Sequence, residues 1–117
     1  MRVLGLHVKA GVLNYGLLDG LSGDQDSLRP VDGAPCRLSV NCGLAEAKQL
    51  SDLADRFGQD LRSMAADRVA VLATRKFSQL TYSEAWDRIS RVTVVMLTCD
   101  RLGIRCQEVK TAVVGKQ

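Results

Sequence analysis

Val3-Leu4-Gly5-Leu6-His7-Val8 and Val12-Leu13-Asn14-Tyr15-Gly16-Leu17-Leu18, joined by Lys9-Ala10-Gly11, are two short runs of β-forming residues around a glycine-containing turn. That pattern predicts a β-hairpin at the start of the fold. Residues 19 to 35 carry Asp19, Gly20, Ser22, Gly23, Asp24, Asp26, Pro30, Gly33 and Pro35. Such a density of turn formers predicts one long exposed connection within a domain. A third strand is expected at Cys36 to Val40, which would make an antiparallel meander of the first three strands.

From Leu44 the period changes. Leu44, Ala47, Leu50, Ala54, Phe57, Leu61 and Met64 recur at steps of three and four with charged residues between them, which predicts an amphipathic helix of about five turns. Asn41 is the expected N-cap, and Glu46 suits the positive end of the helix dipole. Val69-Ala70-Val71-Leu72-Ala73 is continuously apolar, the pattern of a strand buried on both faces in a parallel part of a sheet. Thr81-Tyr82-Ser83-Glu84 is a capping box and opens a second helix. That helix should run to Leu102 and stop at Gly103, which tolerates the left-handed conformation. Ile104 to Cys106 can supply a fifth strand, and Gln107 to Val114 a short final helix.

Tyr82, Ala85, Ile89, Val92, Met96 and Cys99 form one stripe of the second helix and are expected to face the core. Val94, Val95 and Leu97 make residues 94 to 97 apolar nearly all round, so a second face is expected to be buried as well. Either another element of the chain covers it, or it is the interface of a homodimer or of a complex with a different protein. Trp86 is expected in the core or in that interface.

The 117 residues make one domain, 1–117, large enough for a hydrophobic core. With 46% hydrophobic and 25% charged residues, neither a disordered tail nor a fibrous repeat fits. The net charge of +3 permits an anionic partner without demanding one. No apolar run approaches the roughly 18 residues of a membrane span, and His7 and Lys9 come too early for a signal peptide. A cytoplasmic protein without a membrane partner is expected. Cys36, Cys42, Cys99 and Cys106 match neither a zinc knuckle nor a redox pair in their spacing, and are expected to be buried structural residues. His7 is the one histidine, so a zinc site or a Ser-His-Asp triad would depend on a single imidazole. It shares a strand face with Val3 and Gly5, and a buried ring hydrogen-bonded to backbone is expected rather than a general base. Leu21-Ser22-Gly23-Asp24 lacks phosphate-loop spacing, which disfavours a nucleotide hydrolase.

The order of elements is the ribonuclease H-like one, and within that superfamily the sequence resembles the RuvC family of Holliday-junction resolvases. Val3-Leu4-Gly5-Leu6-His7 followed by Asn14-Tyr15-Gly16 is similar to the family's first hairpin, in which a hydrophobic-hydrophobic-Gly-hydrophobic-Asp strand leads into a Gly-Tyr-Gly strand. Glu108-Val109-Lys110-Thr111-Ala112-Val113-Val114-Gly115 closely resembles the family's E-V-K-x-x-V-x-G helix. The resemblance spans nearly the whole chain. It implies an α/β fold with a mixed five-stranded sheet: an antiparallel meander of strands one to three, parallel strands four and five, and helices packed on them.

The resemblance also implies a chemistry that these residues depart from. The family cleaves phosphodiesters with two metal ions held by four carboxylates, since Mg²⁺ prefers hard oxygen ligands. His7 stands where the first carboxylate would be, and Leu72 where the second would be. The other two would come from a helix after the Glu108 to Gly115 motif, before which this chain stops. Imidazole is a poor Mg²⁺ ligand and leucine none at all. Asp19, Asp67 and Asp100 fall at a strand exit, a strand entry and a helix end, as solvated end residues. No catalytic residue, no metal site and no cofactor are therefore expected. Mg²⁺ enters only in the alternative reading.

Function would then rest on surfaces. Lys9, Arg75, Lys76, Lys110 and Lys116 fall on loops that the resembled fold gathers at one sheet edge, where they could neutralise DNA phosphates. Phe77 and Tyr82 could stack on bases but more often anchor packing. The reading is a non-catalytic RuvC-like protein that binds DNA, branched DNA included, or serves a DNA-processing complex through Val94, Val95 and Leu97. One alternative is a metal-dependent structure-specific endonuclease with a divergent or partner-completed site. Another is a protein-interaction module without nucleic-acid affinity. Salt dependence separates phosphate binding from an apolar interface.

Overall fold

The computed structural model describes residues 1–9, 11–21, 27–40, 43, 45–73 and 81–110. In chain order its elements are β1 (Arg2–Lys9), β2 (Val12–Asp19), β3 (Arg29–Pro30), β4 (Arg37–Leu38), α1 (Glu46–Met64), β5 (Arg68–Ala73), α2 (Tyr82–Arg101) and β6 (Arg105–Lys110). β1 and β2 form the expected hairpin, in register from Arg2 opposite Asp19 to Lys9 opposite Val12. Gly11 turns it at φ +76°, a conformation that favours glycine. The other edge of β1 pairs in parallel with β5, and β5 in parallel with β6. The sheet order is β3-β2-β1-β5-β6, with β4 beside β2. This is the expected mixed α/β sheet, with its third position filled by two short strands.

Three expectations about element limits are corrected. The third strand shrinks to Arg37–Leu38, and a further two-residue strand, Arg29–Pro30, forms inside the stretch read as pure connection. Both pair with β2, so the connection is tethered to the sheet at Leu18 and again at Leu13. α1 begins at Glu46 with Ala45 as its N-cap and no capping side chain. Asn41 and Leu44 lie outside the described residues. Gln107 to Lys110 continue β6 instead of opening a helix, because five successive pairs from Val69–Cys106 to Ala73–Lys110 hold them against β5. The rest of that expected helix lies outside the described residues.

The core sits on one face of the sheet. Leu4, Leu6 and Val8 of β1, Leu13 and Leu17 of β2, and Val69 and Val71 of β5 pack against Leu53, Phe57, Leu61 and Met64 of α1 and Val95 and Cys99 of α2. Period-2 alternation turns the intervening strand residues to the other face. The expectation that β5 is buried on both faces is therefore corrected: Ala70 and Leu72 are only half-buried. Cys99 is buried, Cys106 half-buried and Cys36 exposed, the last because Cys36 lies beside the edge of β2, where its carbonyl accepts from Tyr15 N–H at 2.9 Å.

α2 starts at the expected Thr81 cap: the Thr81 hydroxyl oxygen accepts from Glu84 N–H at 3.2 Å and donates to Glu84 Oε1 at 3.0 Å. It ends as expected too, with Gly103 at φ +70° and Ile104 N–H donating to the Cys99 carbonyl at 2.8 Å. Its register about its own axis is different. Tyr82, Ile89 and Met96 are exposed, as are Trp86 and Leu97, while Arg88, Ser90, Arg91, Val95, Thr98 and Cys99 are buried. Ser90 and Thr98 can occupy the inner face because their hydroxyls find partners there. Ser90 donates to the Asp87 carbonyl at 3.1 Å and Thr98 to the Val94 carbonyl at 2.8 Å.

The helices meet where α1 carries Gly58. A Cβ added there would lie 3.6 Å from Thr98 Cγ2, an ordinary contact. Gly58→Ala is therefore expected to stabilise the fold by about 0.5–1 kcal/mol through helix propensity alone, measurable as a higher urea midpoint at unchanged m-value.

Candidate nucleic-acid interface

The face of the sheet away from the helices has a hollow of about 410 Å³. Its floor follows from three small residues in one row across the strands: Gly16 of β2, Gly5 of β1 and Ala70 of β5, which pair in that order. Val3 and Leu18 wall one end, and His7, Asn14, Leu72 and Val109 the other. His7 pairs with Asn14, and Leu72 with Val109. The structure thus brings His7 and Leu72 together at the carboxyl ends of adjacent parallel strands, the edge where open α/β sheets take ligands. His7 is half-buried at this hollow, and its ring makes no hydrogen bond among the described residues. The expected buried, backbone-bonded histidine is corrected accordingly, because glycine and alanine neighbours leave the ring uncovered.

Among the described residues no aspartate or glutamate lines the hollow, and no three His, Cys, Asp or Glu side chains gather as a metal site. One imidazole and one neutral carboxamide, His7 and Asn14, among aliphatic side chains do not fit the hard, anionic oxygen set that Mg²⁺ needs.

Asp19 and Asp67 belong to the opposite end of the sheet, where they clamp Arg2. Arg2 Nε lies 3.2 Å from Asp19 Oδ2, its backbone N–H donates to Asp67 Oδ2 at 2.9 Å, and Nη1 donates to the Met64 carbonyl at 2.7 Å. The hydrogen bond from Arg2 holds the Asp19 carboxyl below its ordinary value. The folded form is thus favoured above the ordinary aspartate range, and this contribution fades as pH falls through the lowered value. An Asp19 carboxyl titration followed by NMR is expected to move up in Arg2→Ala. Asp100 is exposed near the end of α2, beside the separate surface hollow of Met96 and Gly103.

Tyr15, from the matched hairpin motif, points into the core. Its hydroxyl donates to Asp60 Oδ2 at 3.4 Å, and burial, then the Asp60 charge, raise its pKa well above the ordinary tyrosine value.

The expected basic residues divide. Lys9 is exposed at the end of β1, and Lys110 is the last residue of β6, opposite Ala73. They stand on either side of β5 at the same edge as His7 and Leu72. Arg75, Lys76 and Lys116 lie outside the described residues, as does Phe77. Of the expected interface residues, Leu97 is 55% exposed and Val94 half-buried, whereas Val95 is fully enclosed and belongs to the core. Tyr82 is 87% exposed, outside the core. Trp86 is 46% exposed and donates from Nε1 to Glu46 Oε1 at 2.6 Å.

No protein-family model matches the sequence, and no curated protein matches it. Solved structures do match. RuvC of Thermus thermophilus superposes with a TM-score of 0.71 over 94% of this chain at 14% identity, as does the same protein in complex with Holliday junction substrate. The yeast mitochondrial Holliday junction resolvase Ydc2 superposes with a TM-score of 0.60 over 92% of the chain at 10% identity. The chain has the RuvC fold. It spans 64% of the length of the Thermus thermophilus chain and 50% of the yeast one.

On this RuvC fold, the residues that sequence reading missed are Arg88 and Arg91, 7% and 8% exposed. Arg88 Nη2 donates to the carbonyl of Leu72 at 3.0 Å, so α2 is bonded directly to the sheet edge that carries the candidate interface. The available signal was their spacing of three with Val95 and Thr98 on the same helical face. A hydropathy stripe does not register it.

Proposed function

We propose that this chain is a RuvC-type nucleic-acid-binding protein that holds DNA at the carboxyl edge of its sheet without cutting it. The observation that carries the reading is the RuvC fold with His7 and Leu72, and no carboxylate among the described residues, at the place where the family's metal-binding edge would be, beside Lys9 and Lys110. Basic groups at such an edge contact phosphates and position a duplex without reading its sequence. Arg75, Lys76 and Lys116 extend that set in the sequence. No cofactor is needed for this role, and a cytoplasmic setting suits it. Among the described residues no helix is long and apolar enough to cross a membrane.

A second surface favours association with a protein, in the simplest case a second copy of the chain. Trp86, Ile89, Met96 and Leu97 are all exposed on α2, and an apolar strip of this kind usually marks an interaction site. An assembly through α2 would leave the sheet edge free for DNA.

The test is fluorescence anisotropy with a labelled four-way junction and a matched duplex at two salt concentrations, with the same samples run with Mg²⁺ or Mn²⁺ on a denaturing gel. Salt-sensitive binding with intact strands is expected. Metal-dependent cuts would transfer the chain to the nuclease reading, and absence of binding would leave the protein-interaction module.

A further inference from the structure

Arg88 and Arg91 project from one face of α2, a turn apart, towards the carboxyl edge of the sheet. Arg88 commits Nη2 to the Leu72 carbonyl, while its Nη1 is enclosed and has no acceptor. Arg91 donates from Nη1 to Ser90 Oγ at 2.8 Å and lies 3.7 Å from Asp87 Oδ1, while its Nε is enclosed and has no acceptor. The Arg91 guanidinium lies along the β1–β2 turn: a Cβ at Gly11 would sit 3.9 Å from both Nε and Nη2. Among the described residues Asp87 is the one carboxylate paired with these two cations, and its side chain is 39% exposed.

Buried cations are ordinarily paired, and buried donors ordinarily bonded. Two guanidinium groups with spare N–H donors and a single carboxylate leave room in the charge balance for one more anion. The planar fork of arginine matches the oxygens of a phosphate. We propose that Arg88 and Arg91 form a phosphate-binding site between α2 and the turn at Gly11. The Leu72 carbonyl orients Arg88 there, and Asp87 is the carboxylate that competes with the phosphate for Arg91. The phosphate belongs either to a nucleic-acid backbone or to a free phosphate or phosphomonoester. The backbone source rests on the function proposed above, and the free source does not.

The test uses the full chain and inorganic phosphate. Thermal melts in sodium phosphate are compared with melts in sodium chloride at equal ionic strength, for wild type, Arg91→Met and Asp87→Asn. Phosphate is expected to raise the wild-type Tm by several degrees over chloride, and Arg91→Met is expected to weaken phosphate binding by about tenfold or more. Asp87→Asn removes the competing carboxylate and is expected to strengthen it. The proposal is overturned by the absence of a phosphate-specific shift in wild type, or by an equal shift in wild type and Arg91→Met. Should Arg91→Met not fold, Asp87→Asn decides: an unchanged or weaker response overturns the site.

A duplex titration then separates the sources. Duplex binding that weakens both with added phosphate and in Arg91→Met supports the site as a backbone contact. Duplex binding indifferent to both, beside an intact phosphate shift, supports it as a site for free phosphate. Phosphate binding without any junction binding would sink the DNA reading and leave this site standing; junction binding without a phosphate shift would do the reverse.

Discussion

Val95→Asp is expected to leave the chain unfolded at room temperature, while Leu97→Asp, two residues further on, leaves it folded. Val95 is fully enclosed among core residues of the sheet and both helices. Its replacement forfeits about 1.5–3 kcal/mol of apolar burial and places an unpaired carboxylate in the core, at a cost of several kcal/mol more. Together these approach the whole margin of about 5–15 kcal/mol that a domain of this size has. Leu97 is 55% exposed, so a carboxylate there stays in water. Far-UV circular dichroism separates the two variants, and sedimentation velocity then reads the second effect: if copies associate through α2, Leu97→Asp is monomeric at concentrations where wild type is not. A folded Val95→Asp would mean that α2 is turned differently about its axis.

Junction affinity is expected to drop roughly 10²-fold between about 50 and about 200 mM salt when four phosphates are neutralised at the sheet edge. Each lysine removed should flatten that slope by about one. Lys9→Ala is the cleanest variant, because Lys9 is exposed at the end of β1 and its loss leaves the core untouched. The strands should stay intact in Mg²⁺ or Mn²⁺, since neither His7 nor Leu72 supplies an anionic oxygen. An affinity indifferent to salt would remove phosphate contacts from the account, whatever the gel shows.

Local chemistry made most of the architecture legible. Two β runs around Gly11, a long amphipathic period ending at Met64, the capping box at Thr81 and the stop at Gly103 each act over a few residues, and each appears where its residues stand. Legibility ended where partners distant in sequence decide. Gln107 to Lys110 carry no local preference that overrides pairing with β5, and the short stretch up to Gly115 reads equally well as a helix. Rotation of α2 is not legible from apolar spacing, because Ser90 and Thr98 satisfy their hydroxyls within the helix and two arginines reach the sheet edge. That rotation put Val95 in the core and Tyr82, Ile89 and Met96 in water. At the candidate site, His7 and Leu72 were legible as neighbours through the family resemblance, which sets both at strand ends. The hollow between them and Val3 depends on a cross-strand row of Gly16, Gly5 and Ala70, and only pairing register reveals such a row.

The central place of β1 sets a schedule for synthesis. Its hairpin with β2 can close within microseconds once both have emerged, yet Arg2 finds Asp67 only 65 residues further along the chain. At roughly 5–20 residues per second, the inner edge of β1 stands unpaired for several seconds on every nascent chain. During that interval the hairpin offers open backbone donors and acceptors flanked by leucine and valine, a template for pairing with a neighbouring chain. Arrival of β5 ends the exposure. Yield in the cell should therefore respond more to translation pauses between residues 20 and 70 than to pauses later in the chain.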